Sequence, residues 1–173
     1  MMIKIKLPIL LVLMIVLTAC GFKAYNARSL SPRMQTMYVQ SVMPYSTFTT
    51  SLKHFLKSAG VNLLDTPEPN ELILNIDSIS LTHDNPNIVS SAQATVYNFT
   101  YIVTFNVADT KGRLIPEQTV LVTRTLTLSP NEVLEASGEV MILKEEMERE
   151  LILKLFNVLS AKGTRQALNS YKL

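Results

Sequence analysis

The segment ATVYNFTYIVTFNVAD, residues 94–109, commits the chain to a sheet. Thr95, Tyr97, Phe99, Tyr101, Val103, Phe105 and Val107 share one parity, and Asn98, Thr100, Thr104 and Asn106 share the other. A period of two sends successive side chains to opposite faces of a strand. At roughly 3.3 Å per residue this strand runs about 40–50 Å, far beyond the usual five or six residues. DTKG (109–112) offers a turn, and QTVLVTRTLTLS (118–129) returns antiparallel, with Pro116 excluded from a central ladder position. Val120, Val122, Leu126 and Leu128 share a face with Arg124, whose guanidinium needs a partner because an unpaired buried charge costs several kcal/mol.

The flanking elements follow from the same reasoning. TMYVQSV (36–42) reads as a first strand. Ser46 or Thr47 caps a helix whose Phe48, Leu52, Phe55, Leu56 and Ala59 form one stripe, stopped by Gly60. TPEPN (66–70) forbids regular structure, and ELILNIDSISLTHD (71–84) resumes as a strand. Its apolar parity changes from Leu72, Leu74 and Ile76 to Ile79 and Leu81, which implies either a bulge near Asp77-Ser78 or burial of both faces. A last helix carries Val140, Leu143, Met147, Leu151, Leu155 and Val158 along one stripe, with Gly163 as its stop. The order strand, helix, three strands, helix predicts an α+β fold, a four-stranded mostly antiparallel sheet with two helices packed on one face. The helix after the first strand permits a parallel pair.

The N-terminus sets the boundaries. Lys4 and Lys6 precede an apolar run from Leu7 to Leu17, the length of a signal-peptide core and about half of what a spanning helix needs. Leu17-Thr18-Ala19-Cys20 resembles the lipobox of bacterial lipoproteins. That resemblance implies cleavage before Cys20, a thioether-linked diacylglycerol on its sulfur and a third acyl chain, such as palmitate, on its new amino group. Two or more acyl chains anchor a protein stably where one does not. The alternatives are an ordinary signal peptide or a buried N-terminal helix with a stray thiol. Gly21 rather than aspartate after the cysteine fits, by the lipoprotein sorting pattern, the periplasmic face of the outer membrane. The expected layout is a signal peptide at 1–19, a lipidated tether at 20–34, one domain at 35–162 and a mobile tail at 163–173.

Charge and composition exclude several classes. Loss of Lys4 and Lys6 leaves 14 basic against 14 acidic side chains, so the overall balance gives no support for nucleic-acid binding. The single cysteine leaves no disulfide and no thiolate metal site. His54 and His83 fit no metal-ligand spacing, and neither a nucleophile elbow nor a phosphate loop is present. Glu145, Glu146, Glu148 and Glu150 read as a solvated helix face rather than paired catalytic carboxylates. No cofactor or metal is expected beyond the acyl groups. Residues 85–108 carry no charge at all, which suggests a segment largely covered by protein.

A lipobox cysteine followed by Gly-Phe, then YNFTYIVTFNVAD, TKGRLIP, TVLVTRTLTLSPNEVL and a helix containing LKEEM, resembles the LptE family of lipopolysaccharide-assembly lipoproteins across residues 20–160. Tyr101, Val103, Phe105, Asp109, Gly112, Pro116, Arg124, Val133, Leu134, Glu146 and Met147 fit its pattern, while Thr125-Leu126 and Ala24-Tyr25 depart from it. The resemblance implies a non-enzymatic plug that sits in the lumen of the LptD β-barrel, helps assemble it and binds lipopolysaccharide for delivery to the outer leaflet. Asn98, Thr100, Thr104 and Asn106 are then candidates to face the partner. Lys111 and Arg113 at the turn, with Arg124 behind them, are candidates for lipopolysaccharide phosphates. Two rivals stand beside it: an accessory lipid-binding lipoprotein of another periplasmic lipid-transport system, and a lipoprotein hydrolase using scattered Ser and His residues.

Overall fold

The computed structural model describes residues 25–84, 87–89, 94–128 and 136–170. Two short 3₁₀ turns, Ala27–Ser29 and Pro32–Gln35, lead into β1 (Thr36–Ser41), followed by α1 (Thr47–Ser58) and β2 (Asn62–Leu64). Then come β3 (Leu72–His83), β4 (Asn87–Val89), β5 (Ala94–Asp109), β6 (Gly112–Leu128), α2 (Ala136–Ser160) and α3 (Lys162–Ser170). The signal segment and Cys20 lie outside the described residues.

The architecture is α+β. Strands β2, β1 and β3 run parallel to their neighbours, whereas β3, β5 and β6 form an antiparallel meander. After His83 pairs with Phe99 on β5, Asn87 of β4 pairs with Val96 on the same edge, so β4 continues the line of β3. Among the described residues six strands thus make five columns rather than the expected four. The two extra strands are three residues each, too short for alternation to register in the sequence.

Local chemistry explains the element ends. The Ser46 hydroxyl accepts from the Thr49 N–H at 3.2 Å as the N-cap of α1. Gly60 at φ +92 ends the same helix, its N–H bonding Lys57 O at 2.9 Å. The β3 register shifts between Ile76 and Ser78, so the parity change marks a bulge at Asp77. Strand β6 begins earlier than expected and runs through Pro116. This is possible because among the described residues β6 pairs only with β5, and the register slips there: Phe105 opposes Gln118 but Val107 opposes Ile115.

One core lies between the sheet and the helices. Met37, Val39, Leu72, Leu74, Ile76, Tyr101, Val103, Phe105, Val107, Val120 and Val122 supply the sheet side. Phe48, Leu52 and Leu56 of α1 and Met147, Leu151, Leu155 and Leu159 of α2 supply the other, the i, i+4 rows of each stripe.

Both ends of the expected domain need correction. Residues 25–34 of the expected tether are in part packed structure: Ala27, Leu30, Ser31 and Met34 are buried, and the Ala27 N–H bonds Ala59 O at 2.7 Å. The expected tail is likewise helical from Lys162 to Ser170, because Leu168 is fully buried and the Ser31 hydroxyl bonds Asn169 Oδ1 at 2.8 Å. Gly163 does not end the helix. The break falls at Ala161, where the Thr164 hydroxyl bonds the Val158 carbonyl at 2.8 Å and α3 begins.

Candidate functional site

The helices leave the other face of the sheet open. On β5, Asn98, Thr100, Ile102 and Thr104 point there, half-buried, while Tyr101, Val103 and Phe105 point into the core. After the Asp77 bulge, Ser78, Ser80 and Thr82 of β3 fall on this face beside Thr104, Ile102 and Thr100. On β6 the matching residues are Thr119, Leu121, Thr123 and Thr125. Three rows result: Ser78-Thr104-Thr119, Ser80-Ile102-Leu121 and Thr82-Thr100-Thr123. None of these side chains ionises.

Hydrogen bonds across the strands occupy the threonine hydroxyls. Thr100 and Thr123 Oγ1 lie 3.3 Å apart, Thr104 and Thr119 Oγ1 3.4 Å, and the Thr125 hydroxyl donates to Asn98 Oδ1 at 2.8 Å. Such cross-strand pairs stabilise a sheet and at the same time spend polar groups that would otherwise need water. Leu121, in the middle row but on the edge strand β6, is 50% exposed. The surface is therefore polar in composition and cheap to dehydrate. The β6 alternation Thr119, Thr123, Thr125 was visible in the sequence; the rows were not, because their register depends on the bulge.

Asn106 sits apart from Asn98, Thr100 and Thr104. It is 3% exposed, accepts from Asn75 Nδ2 at 3.0 Å and donates through Nδ2 to Asp77 Oδ2 at 2.6 Å. It lies where β3 bulges on one side and β6 slips on the other. Its amide serves the sheet.

The three cationic candidates separate. Asp109 Oδ1 accepts from the backbone N–H groups of Lys111 at 2.8 Å and Gly112 at 3.1 Å, which builds the β5–β6 turn and leaves Lys111 and Arg113 exposed at its tip. Arg33 reaches Asp109 Oδ2 at 3.7 Å and adds a third cation at this end. Arg124 is not behind them: it lies eleven residues further along β6, roughly 35 Å away at about 3.3 Å per residue. It lies opposite Phe99 and pairs with Glu150 of α2, which also holds Lys154 at 3.2 Å. The partner that its placement demanded comes from its own fold.

A further polar group is buried under the helices. Glu148 is 4% exposed and accepts from the Thr47 hydroxyl at 2.7 Å and the Tyr101 hydroxyl at 3.0 Å, with Lys144 Nζ at 3.7 Å. Burial, then the charge of Glu148 and the hydrogen bond to it, push the Tyr101 phenol well above its ordinary pKa. This network ties α1 and α2 to the middle of β5. Of the four glutamates expected on a solvated face, Glu148 departs from that reading. The sequence signal for it, an acid one position after Met147 in the apolar stripe, is weak.

Among the described residues no three His, Cys, Asp or Glu side chains gather as metal ligands, and no helix is long and apolar enough to cross a membrane. His54 is exposed on α1, and His83 is exposed at the end of β3 beside the Tyr97 and Phe99 rings.

The family model LptE, lipopolysaccharide-assembly, matches residues 34–159. The LPS-assembly lipoprotein LptE of Yersinia enterocolitica is 27% identical over 161 residues, covering 90% of this chain and 77% of that protein. Its counterpart in Pectobacterium atrosepticum is 24% identical over 164 residues, covering 91% and 89%. Among solved structures, a lipoprotein B from Nitrosomonas europaea aligns with TM-score 0.68 at 19% identity, over 87% of this chain and 97% of that one. The rare lipoprotein B from Shewanella oneidensis aligns with TM-score 0.63 at 19% identity, over 79% and 99%. At these identities the structural matches speak for the fold.

Proposed function

Because this chain belongs to the LptE family of lipopolysaccharide-assembly proteins, we propose that it is an outer-membrane lipoprotein that plugs an LptD-type β-barrel, helps assemble it and binds lipopolysaccharide. The lipopolysaccharide-assembly names of the family and its relatives support a role in lipopolysaccharide transport, read here as non-catalytic. In this reading signal cleavage leaves Cys20 as the N-terminus, and its acyl chains hold the domain at the periplasmic face of the outer membrane.

The observation that carries the plug reading is the open sheet face. Enclosing a surface inside another protein removes its water, and burying unpaired charge costs several kcal/mol. This face has no ionisable group in its three rows, and cross-strand bonds already engage Thr100, Thr104, Thr119 and Thr123. A partner wall can cover it at little desolvation cost while gaining Leu121 and Ile102 as apolar contacts. The Lys111 and Arg113 tip offers cations suited to lipopolysaccharide phosphates, with Arg33 beside it. Arg124, far along β6 and paired with Glu150, lies outside that site.

The experiment is recovery of the barrel partner from outer membranes in mild detergent with the Thr100→Lys/Thr123→Lys protein. Each 1.4 kcal/mol is about tenfold in affinity, so two unpaired lysines at an enclosed face lower recovery by at least about tenfold. Wild-type recovery by a folded double variant would refute enclosure of this face. Lipopolysaccharide binding by Lys111→Ala/Arg113→Ala protein is expected to weaken at low salt; unchanged affinity removes the turn from the site.

A further inference from the structure

Strand β6 forms one edge of the sheet, and among the described residues no strand pairs with its outer side. The hydrogen bonds of β5 show which backbone groups that side presents. The Asn98 carbonyl accepts from the Asp84 N–H at 3.0 Å, and the Thr100 carbonyl from the Thr82 hydroxyl at 3.3 Å, so these β5 residues turn their backbone groups toward β3 and away from β6. In an antiparallel ladder the residues opposite them, and the others of the same parity, then point outward: Thr119, Leu121, Thr123 and Thr125 direct their N–H and C=O groups to the open edge. All four are exposed and none is charged. A long uncharged edge is a template for a further strand.

Two of the outward carbonyls already hold a donor. Lys154 Nζ bonds Leu121 O at 3.0 Å, and Arg124 Nη1 bonds Thr123 O at 3.1 Å. One carboxylate holds both cations: Glu150 pairs with Arg124 through Oε2 and with Lys154, one helical turn further along α2, through Oε1 at 3.2 Å. We infer that Glu150, Arg124 and Lys154 form a latch over the middle of the β6 edge that bars a second copy of this chain from adding its own β6 there. A second copy is the occupant because the edge is self-complementary. Turned about a two-fold axis through Thr123, two β6 strands run antiparallel; Thr125 then opposes Leu121, Thr127 opposes Thr119, and Arg124 meets Val122 rather than another charge. Threonines facing one another across strands favour such a pair. With the latch closed, each copy must give up the charge-assisted bonds at Leu121 and Thr123 before the strand bonds can form. The latch operates whether or not the domain plugs a barrel.

The test measures the mass of the full chain by sedimentation equilibrium in density-matched detergent. Wild type should be monomeric, and Arg124→Ala/Lys154→Ala, which bares both carbonyls, should self-associate at least about tenfold more tightly. The two side chains are 44% and 46% exposed, so their loss leaves the core in place, and circular dichroism checks the fold. Adding Thr123→Pro should restore the monomer, because the Thr123 N–H points outward and proline removes it without touching the β5 ladder. Glu150→Ala leaves both cations unheld and should associate to an intermediate degree; it carries the test if the double variant misfolds. Latch variants as monomeric as wild type, a dimer that survives Thr123→Pro, or a wild type already dimeric through this edge would each overturn the latch.

Discussion

Tyr101→Phe removes one hydroxyl and nothing else, which makes it the sharpest probe of the buried network. In the wild type that hydroxyl donates to Glu148 at 3.0 Å in a site where the carboxylate is 4% exposed and the ring 3% exposed. Hydrogen bonds to charged groups contribute roughly 1.5–3 kcal/mol, and here water cannot replace the lost donor. With about 2–4 °C per kcal/mol for a chain of this size, the variant should melt about 3–12 °C lower. The pH dependence has a definite sign. Burial and Glu148 raise the Tyr101 pKa in the folded state, so the unfolded chain releases the phenol proton first. The stabilisation is complete below the ordinary tyrosine value of about 10 and is lost as pH rises above it. Urea titrations at pH 8 and pH 11 should therefore show the gap between wild type and Tyr101→Phe narrowing by about 1.4 kcal/mol. A variant within about 0.5 kcal/mol of wild type at pH 8, smaller than a typical net hydrogen bond, or a gap that widens with pH, refutes the reasoning.

Leu168→Ala should destabilise the domain by about 2–5 kcal/mol in urea titration, the range for a leucine deleted from a packed core; a mobile C-terminus would show no change. A double-mutant cycle of Arg124→Ala and Glu150→Ala should give a coupling of at most about 1 kcal/mol, since the side chains are 44% and 32% exposed and solvent screens the pair. Raising salt should shrink it further. Gly60→Ala should cost about 1 kcal/mol, although the nearest atom to the new methyl would be 3.8 Å away, because φ +92 is unfavourable to any side chain. Thermal melts of Gly60→Ala and Gly60→Asn together would test this, since asparagine tolerates positive φ better and should lose less.

Legibility followed period and length. The sixteen residues of β5 and the α2 stripe announced themselves because many positions repeat one rule. The parity change in β3 was likewise readable: two alternations meeting at Asp77-Ser78 imply either a bulge or burial of both faces, and the structure has the bulge. Strands β2 and β4 were not readable, because three residues contain one alternation and their pairing is set by neighbours far along the chain. Residues 162–170 were misread since only Ala167 and Leu168 are apolar after Gly163; the helix forms by docking on Ser31 and Arg33, contacts of sequence separation well over a hundred. The same limit applied to the cations. Spacing located Lys111 and Arg113 at one turn, but a 17-residue strand separates chain neighbours as surely as it joins strangers, and Arg124 ended beside Glu150.

The two irregularities of the sheet explain why the open face is continuous where it is. Before the bulge, β3 sends Leu72, Leu74 and Ile76 to the core; after it, Ile79, so without Asp77 as an extra residue Ser78 and Ser80 would face the helices. A one-residue slip flips every later side chain. Hydroxyls would then be buried and Ile79 and Leu81 exposed beside Thr100 and Thr104. Strand β6 needs its own correction on the other side, where Pro116 cannot supply a ladder N–H, and its slip brings Thr119, Thr123 and Thr125 into line with the same β5 row. Asn106, at the level of both, holds Asn75 and Asp77 through its single amide. Both partners lie on β3, so the amide fixes the bulge against β5. The polar face therefore rests on three strands agreeing at one level, and a change at Asp77 should disturb the Thr100 and Thr123 surface several residues away more than it disturbs the core beneath.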